Sequence, residues 1–141
     1  MIELLITISL IIIISSIAIY KISIRDYKID SFARQLCSDI RYTRMKNMNY
    51  DESVKICYEE SEEGTIAYLL KESEKIKKKV ELPQNTEMIR GVEVINFGLR
   101  GVLRRKGETI KIKDKINNKI KIITIVPFSG RVLIKEGLYE E

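Results

Sequence analysis

Hydrophobic and polar positions change rhythm twice along the chain. From Leu4 to Tyr20 run 17 consecutive uncharged residues, LLITISLIIIISSIAIY, bordered by Glu3 and Lys21. As a helix this stretch rises about 26 Å, enough to approach the thickness of a bilayer core. Apolar residues then recur at helical spacing at Ile29, Phe32, Ala33, Leu36, Cys37 and Ile40, and less regularly at Met45 and Met48. Between them stand Asp30, Arg34, Asp39, Arg41, Arg44 and Lys46, the pattern of an amphipathic helix laid on a core. After Asn49 the period becomes two. Val54, Ile56 and Tyr58 alternate with Lys55, Cys57 and Glu59, and Ile76, Lys78, Val80 and Leu82 continue the theme. Val92-Glu93-Val94, Ile110/Ile112, Ile120/Ile122 and Val132/Ile134 follow, short alternating runs that read as an antiparallel sheet or sandwich.

Turn-forming residues agree with this division. The first glycine is Gly64 and the first proline Pro83, so all seven glycines and both prolines lie in the second part. The expected fold class is therefore α+β: one long N-terminal helix packed against a small antiparallel β domain. Residues 1–20 form a membrane or filament-core half, residues 21–49 an amphipathic half, and residues 50–141 the β domain. A cleaved signal peptide fits poorly, because no basic residue precedes the apolar run and Ile19-Tyr20-Lys21-Ile22 offers no small-residue cleavage site.

Composition narrows the chemistry. The 141 residues contain no histidine, which removes the commonest general base and transition-metal ligand. Two cysteines cannot complete a zinc site. No phosphate-binding glycine loop, nucleophile elbow or metal-spaced carboxylate cluster occurs, so no cofactor, no metal and no enzymatic activity are expected. Cys37 falls on the apolar stripe and Cys57 on the polar phase of its strand, which favours two separate thiols over a Cys37–Cys57 disulfide. Tyr42, Tyr50, Tyr58 and Tyr68 read as core-edge residues, and Lys75, Lys77, Lys78 and Lys79 as an exposed strand edge resisting aggregation.

Residues Ile2-Glu3-Leu4-Leu5-Ile6, followed by the apolar run, resemble the start of a type IV pilin or pseudopilin. Farther on, Phe97-Gly98 with Gly101, Thr109-Ile110 and Ser129-Gly130-Arg131-Val132-Leu133-Ile134 resemble the β domain of H-type minor pseudopilins of type II secretion, of related fimbrial minor pilins, and of the D-type competence pseudopilin. Phe32-Ala33-Arg34-Gln35-Leu36, with Asp39, Arg41 and Arg44, is similar to the helix of those proteins. The resemblance implies a subunit that assembles with other pilins or pseudopilins through Glu3 and its neighbours Ile2, Leu4 and Leu5. It further implies an inner-membrane assembly platform, a leader peptidase, a single-pass anchor with the β domain outside the membrane, and a surface filament. In the family a basic leader ending in glycine precedes the mature chain, and Met1 stands where a leucine is usual. Lys21, Arg25 and Lys28 follow the span, so such a leader is expected to set its orientation. The family's glutamate is thought to pair with the N-terminal amine of a neighbouring subunit.

Charge is polarised along the β domain. Arg100 to Lys121 holds nine basic residues against Glu108 and Asp114, whereas Asp51 to Glu63 holds six acids against Lys55. If Ile110/Ile112 and Ile120/Ile122 share a face, the loop around Asn117-Asn118 has an odd length and Lys113 lies opposite Lys121. Arg104, Arg105, Lys106, Lys111, Lys113, Lys119 and Lys121 are then candidate DNA contacts, the alternative being a solvated lysine-rich face. A tip pilin capturing DNA through this hairpin is the second functional reading.

Overall fold

A computed structural model of the chain describes residues 2–49, 53–62 and 64–138, with the side chains of residues 16–23 and Leu138 outside the description. Tyr50, Asp51, Glu52 and Glu63, singled out above, lie outside the described residues. One helix, α1, spans Ile2–Met48. Eight strands follow: β1 Lys55–Ser61, β2 Gly64–Glu72, β3 Lys75–Glu81, β4 Thr86–Ile89, β5 Val94–Ile95, β6 Glu108–Asp114, β7 Lys119–Ile125 and β8 Val132–Leu138. They form two antiparallel sheets, ordered β3-β2-β1-β5 and β4-β6-β7-β8. The α+β class and the antiparallel pairing are as the sequence predicts.

The back half of α1 closes a core shared by both sheets. Ile29, Phe32, Ala33, Leu36, Cys37 and Ile40 are buried, as their spacing predicts, against Ile56, Tyr68 and Leu70 of one sheet and Ile110, Ile112, Ile123 and Ile125 of the other. Beyond Ile40 the stripe does not pass to Met45 and Met48, which are exposed. The helical period instead brings Thr43 and Asn47 inward, both fully buried. Each of these buried polar side chains donates to a partner, although Asn47 Oδ1 accepts from none among the described residues. Thr43 Oγ1 donates to the Asp39 carbonyl at 2.9 Å, and Asn47 Nδ2 donates to Asn96 Oδ1 at 2.6 Å and to the Phe97 carbonyl at 3.0 Å.

Two strands, β2 and β4, carry no clean alternation in the sequence. Strand β2 lies inside its sheet between β1 and β3 and buries Ala67, Tyr68 and Leu70. The register of the β6–β7 hairpin also differs from expectation. Lys113 pairs with Ile120, and Ile112 with Lys121, so the residues between partners are even in number. Ile123 and Ile125 therefore point with Ile110 into the core, and Lys121 turns inward toward the helix. The turn is fixed by Asp114: its carbonyl accepts the Asn118 N–H, its Oδ1 accepts the Ile116 N–H at 2.9 Å, and Asn118 takes a left-handed φ of 52°. A one-residue shift of facing is the consequence.

Strand β3 is an edge, and its lysines are mostly exposed as expected, with one exception. Lys78 reaches over to the helix and places Nζ 2.9 Å from Asp39 Oδ2.

Candidate functional site

The front of α1 presents apolar side chains in every direction. Ile2, Leu4, Leu5, Ile6, Ile8 and Leu10 through Ile14 are all exposed, and none belongs to the core. A helix apolar all round belongs inside something, lipid or protein. Two of its hydroxyls are satisfied within the segment: Thr7 Oγ1 donates to the Leu4 carbonyl at 2.9 Å and Ser9 Oγ to the Leu5 carbonyl at 2.8 Å. Glu3 stands in the first turn, where the positive end of the helix dipole favours a carboxylate. Ile2, Glu3, Leu4 and Leu5 thus sit together at the far end of a rod, as a contiguous exposed surface. Among the described residues no helix is long and apolar enough to cross a membrane. The described apolar side chains cover residues 2–15, about 21 Å, and the expected span continues into residues 16–20, whose side chains are outside the description.

The basic residues of the β domain do not gather into one patch. Lys119 Nζ lies 2.6 Å from Asp26 Oδ2, and Lys121 Nζ lies 2.8 Å from Asp30 Oδ1 and also pairs with Glu136. Hydrogen bonds from these lysines hold the carboxyls of Asp26 and Asp30 below the usual carboxylate range, with Arg34 adding to the effect at Asp30. Lys111 is exposed on the outer face opposite Ile122, and Lys113 is half-buried opposite Ile120. Arg104, Arg105 and Lys106 belong to the loop before β6, roughly 20 Å from Lys113 at the other end of that strand. The acid inside this run is not outward either. Glu108 is buried and accepts the Gly91 N–H at 2.8 Å and the Val92 N–H at 3.3 Å.

Asp26 has no place in the sequence reading, and Asp30 and Asp39 enter it only as polar positions of the helix, with no partner foreseen for them. Asp26 and Asp30 are one helical turn apart, on the face that meets β7, and this spacing was a readable signal. Asp39 is buried and accepts from the Tyr68 hydroxyl at 2.7 Å, from Lys78, and from Gln35 Nε2 at 3.1 Å. It therefore joins the helix to β2 and β3. Arg25 Nη2 stands 3.3 Å from the buried Asp114 Oδ2, a charge contact without a well-directed hydrogen bond.

The motif Phe97-Gly98…Gly101 and Ser129-Gly130 has a mechanical meaning. Gly101 and Gly130 both adopt left-handed φ, 69° and 59°. A Cβ on Gly101 would stand 2.6 Å from Met48 Sδ, and one on Gly130 would collide with the Gly101 carbonyl and the Arg44 guanidinium. Arg44 Nε donates to that carbonyl at 3.0 Å and ties the last helical turn to both loops. Cys37 and Cys57 are free thiols, which corrects the disulfide alternative. Cys37 faces the core, whereas Cys57 points to the face of β1 opposite Ile56, so the two sulfurs diverge.

No protein-family model matches the chain, and no curated relative matches it. Among solved structures the chain is similar to the type IV minor pilin FimU of Pseudomonas aeruginosa in two crystal forms. One superposes with a TM-score of 0.62 at 16% identity, covering 78% of this chain and 90% of that one. The other gives 0.60 at 16% identity, covering 75% and 91%. At this identity the likeness establishes a shared pilin-like fold.

Proposed function

We propose that the chain is a minor pilin or pseudopilin subunit, anchored in the cell membrane by the front of α1 and drawn from there into a surface filament. The observation that carries this reading is the rod of residues 2–15, apolar on all sides, with Glu3 near its tip. In lipid its backbone and the Thr7 and Ser9 hydroxyls need no water, and leaving lipid for a bundle of similar helices keeps the apolar surface covered. An unpaired carboxylate at membrane depth costs roughly 2.5–3.5 kcal/mol at mid-bilayer and less near the interface. A neighbour that offers a cation to Glu3 removes that cost, which makes subunit addition favourable and registers the helices. The FimU likeness in fold supports the same role.

Glu3→Ala and a chain lacking the first twenty residues are the tests. Both are expected to fold and to be absent from sheared filaments at normal expression. Normal incorporation of either one would overturn the proposal. A secondary reading, DNA contact, rests on the exposed Arg105 and Lys106. Their replacement by glutamine would lower duplex affinity and reduce the salt slope by about one for each phosphate no longer neutralised.

A further inference from the structure

The turn between β6 and β7 lies at the end of the β domain nearest the front of α1. Lys119 meets Asp26 and Lys121 meets Asp30, so two residues of strand keep pace with four of helix. Their rises, about 7 Å and 6 Å, nearly match. The turn itself sits level with residues 25–26 of the helix, where Asp114 meets Arg25 and the Asn117 side chain bonds Asp26, about 8–9 Å past the expected end of the span at Tyr20. At that level Ile116 is 58% exposed on a turn whose backbone is fixed by Asp114. Lys115 stands beside it, its N–H held by the Asn85 carbonyl. On the helix, Arg25 and Lys28 are about 8 and 12 Å above Tyr20, and the headgroup layer of one leaflet is roughly 5–8 Å thick. Arg25 and the turn fall within or at its edge, and the flexible stem of Lys28 reaches down to it.

We propose that this turn, with Arg25 and Lys28, is a foot on which the β domain rests against anionic phospholipid headgroups. Ile116 enters the interface while Lys28 and Lys115 contact lipid phosphates. The acids at this end are largely matched: Asp26 by Lys119, Asp114 by Arg25, and Glu87 cross-strand from Lys113. Lys28 and Lys115 remain exposed without an ion pair among the described residues. Tyr27, 72% exposed beside Lys28, is another large side chain bared at this end, and its amphipathic ring suits the headgroup level of a membrane. The inference rests on the membrane-anchored reading above.

The sequence contains no tryptophan, so Ile116→Trp introduces a unique probe at an exposed position. The full chain carrying it would be reconstituted in phosphatidylcholine vesicles, with and without phosphatidylglycerol, each containing brominated lipid. Flotation with both vesicles is expected. Quenching is expected mainly with phosphatidylglycerol. Lys28→Gln and Lys115→Gln should each lower the ratio of docked to undocked foot about fivefold. Arg105→Gln, at the other end of β6, should change nothing. Flotation with equal, weak quenching in both vesicles overturns the foot alone. Failure to float with either overturns the anchor reading and the foot with it. An emission shift on adding duplex DNA to neutral vesicles marks a nucleic-acid surface and also overturns it.

Discussion

Asp39 faces the protein interior from a helix position that sequence pattern assigns to solvent, and its three donors explain why. The Tyr68 hydroxyl, Gln35 and Lys78 all converge on its carboxylate, and burial pushes the Tyr68 hydroxyl well above its ordinary pKa. Tyr68→Phe removes one bond and is expected to cost about 1 kcal/mol in urea unfolding. Asp39→Ala leaves a buried hydroxyl without an acceptor and is expected to cost roughly 2–4 kcal/mol. Equal costs for the two would show that the carboxylate contributes nothing beyond the tyrosine bond. The cysteines give a second check at this scale. Cys37 is 3% exposed and its thiol is pushed up by burial, while Cys57 is half-buried at an accessible strand position. Alkylation at neutral pH should therefore modify one thiol per chain quickly, Cys57 by peptide mapping, and the second only on unfolding.

The joint between α1 and β7 is made largely of ion pairs, so it should respond to acid. Asp26 and Asp30 titrate lower in the folded chain than in the unfolded one. Their stabilisation is thus complete above the ordinary carboxylate pKa, near 4, and is lost as pH falls through the lower folded values. Once corrected for the intrinsic pH dependence of the exchange reaction, amide exchange around residues 24–30 and 119–121 should be unchanged from pH 7 to about 5 and quicken below about 4. Because these pairs are partly solvated, the effect should also weaken in high salt. An increase already complete at pH 6 would contradict the assignment. Much of this level was legible in advance: the long helix, its buried stripe from Ile29 to Ile40, the antiparallel strands and the lysine-rich edge all follow from period and punctuation. The register of β6–β7 was not, because Ile120, Ile122, Ile123 and Ile125 offer two apolar phases and only the turn built on Asp114 selects between them. Nor was the fate of the basic run, since the acids that hold Lys119 and Lys121 lie some 90 residues away in the chain.

For the whole molecule, the division of labour along α1 is sharp. The core begins at Ile29, and residues 2–15 add nothing to it. A chain starting at residue 24 should therefore melt cooperatively within a few degrees of the full-length protein in detergent, by far-UV circular dichroism. A non-cooperative transition would mean that the front of the helix supports the fold. The exposed apolar rod was readable in hydropathy alone, because such a surface is defined by what it lacks, an internal partner, whereas the assembly role proposed for Ile2-Glu3-Leu4-Leu5 came from the family resemblance. The foot proposed for the β6–β7 turn was hidden, because its position depends on how β7 aligns with the helix.

The attachments at Asp26, Asp30, Asp39, Arg44 and Asn47 are spread over about 32 Å of the same rod and reach both sheets. Tension transmitted through the rod is consequently met as shear, with all five attachments loaded together, instead of being unzipped one at a time from an end. In the fibre proposed above, such parts could be tugged hard from outside before any single bead is stripped from its thread.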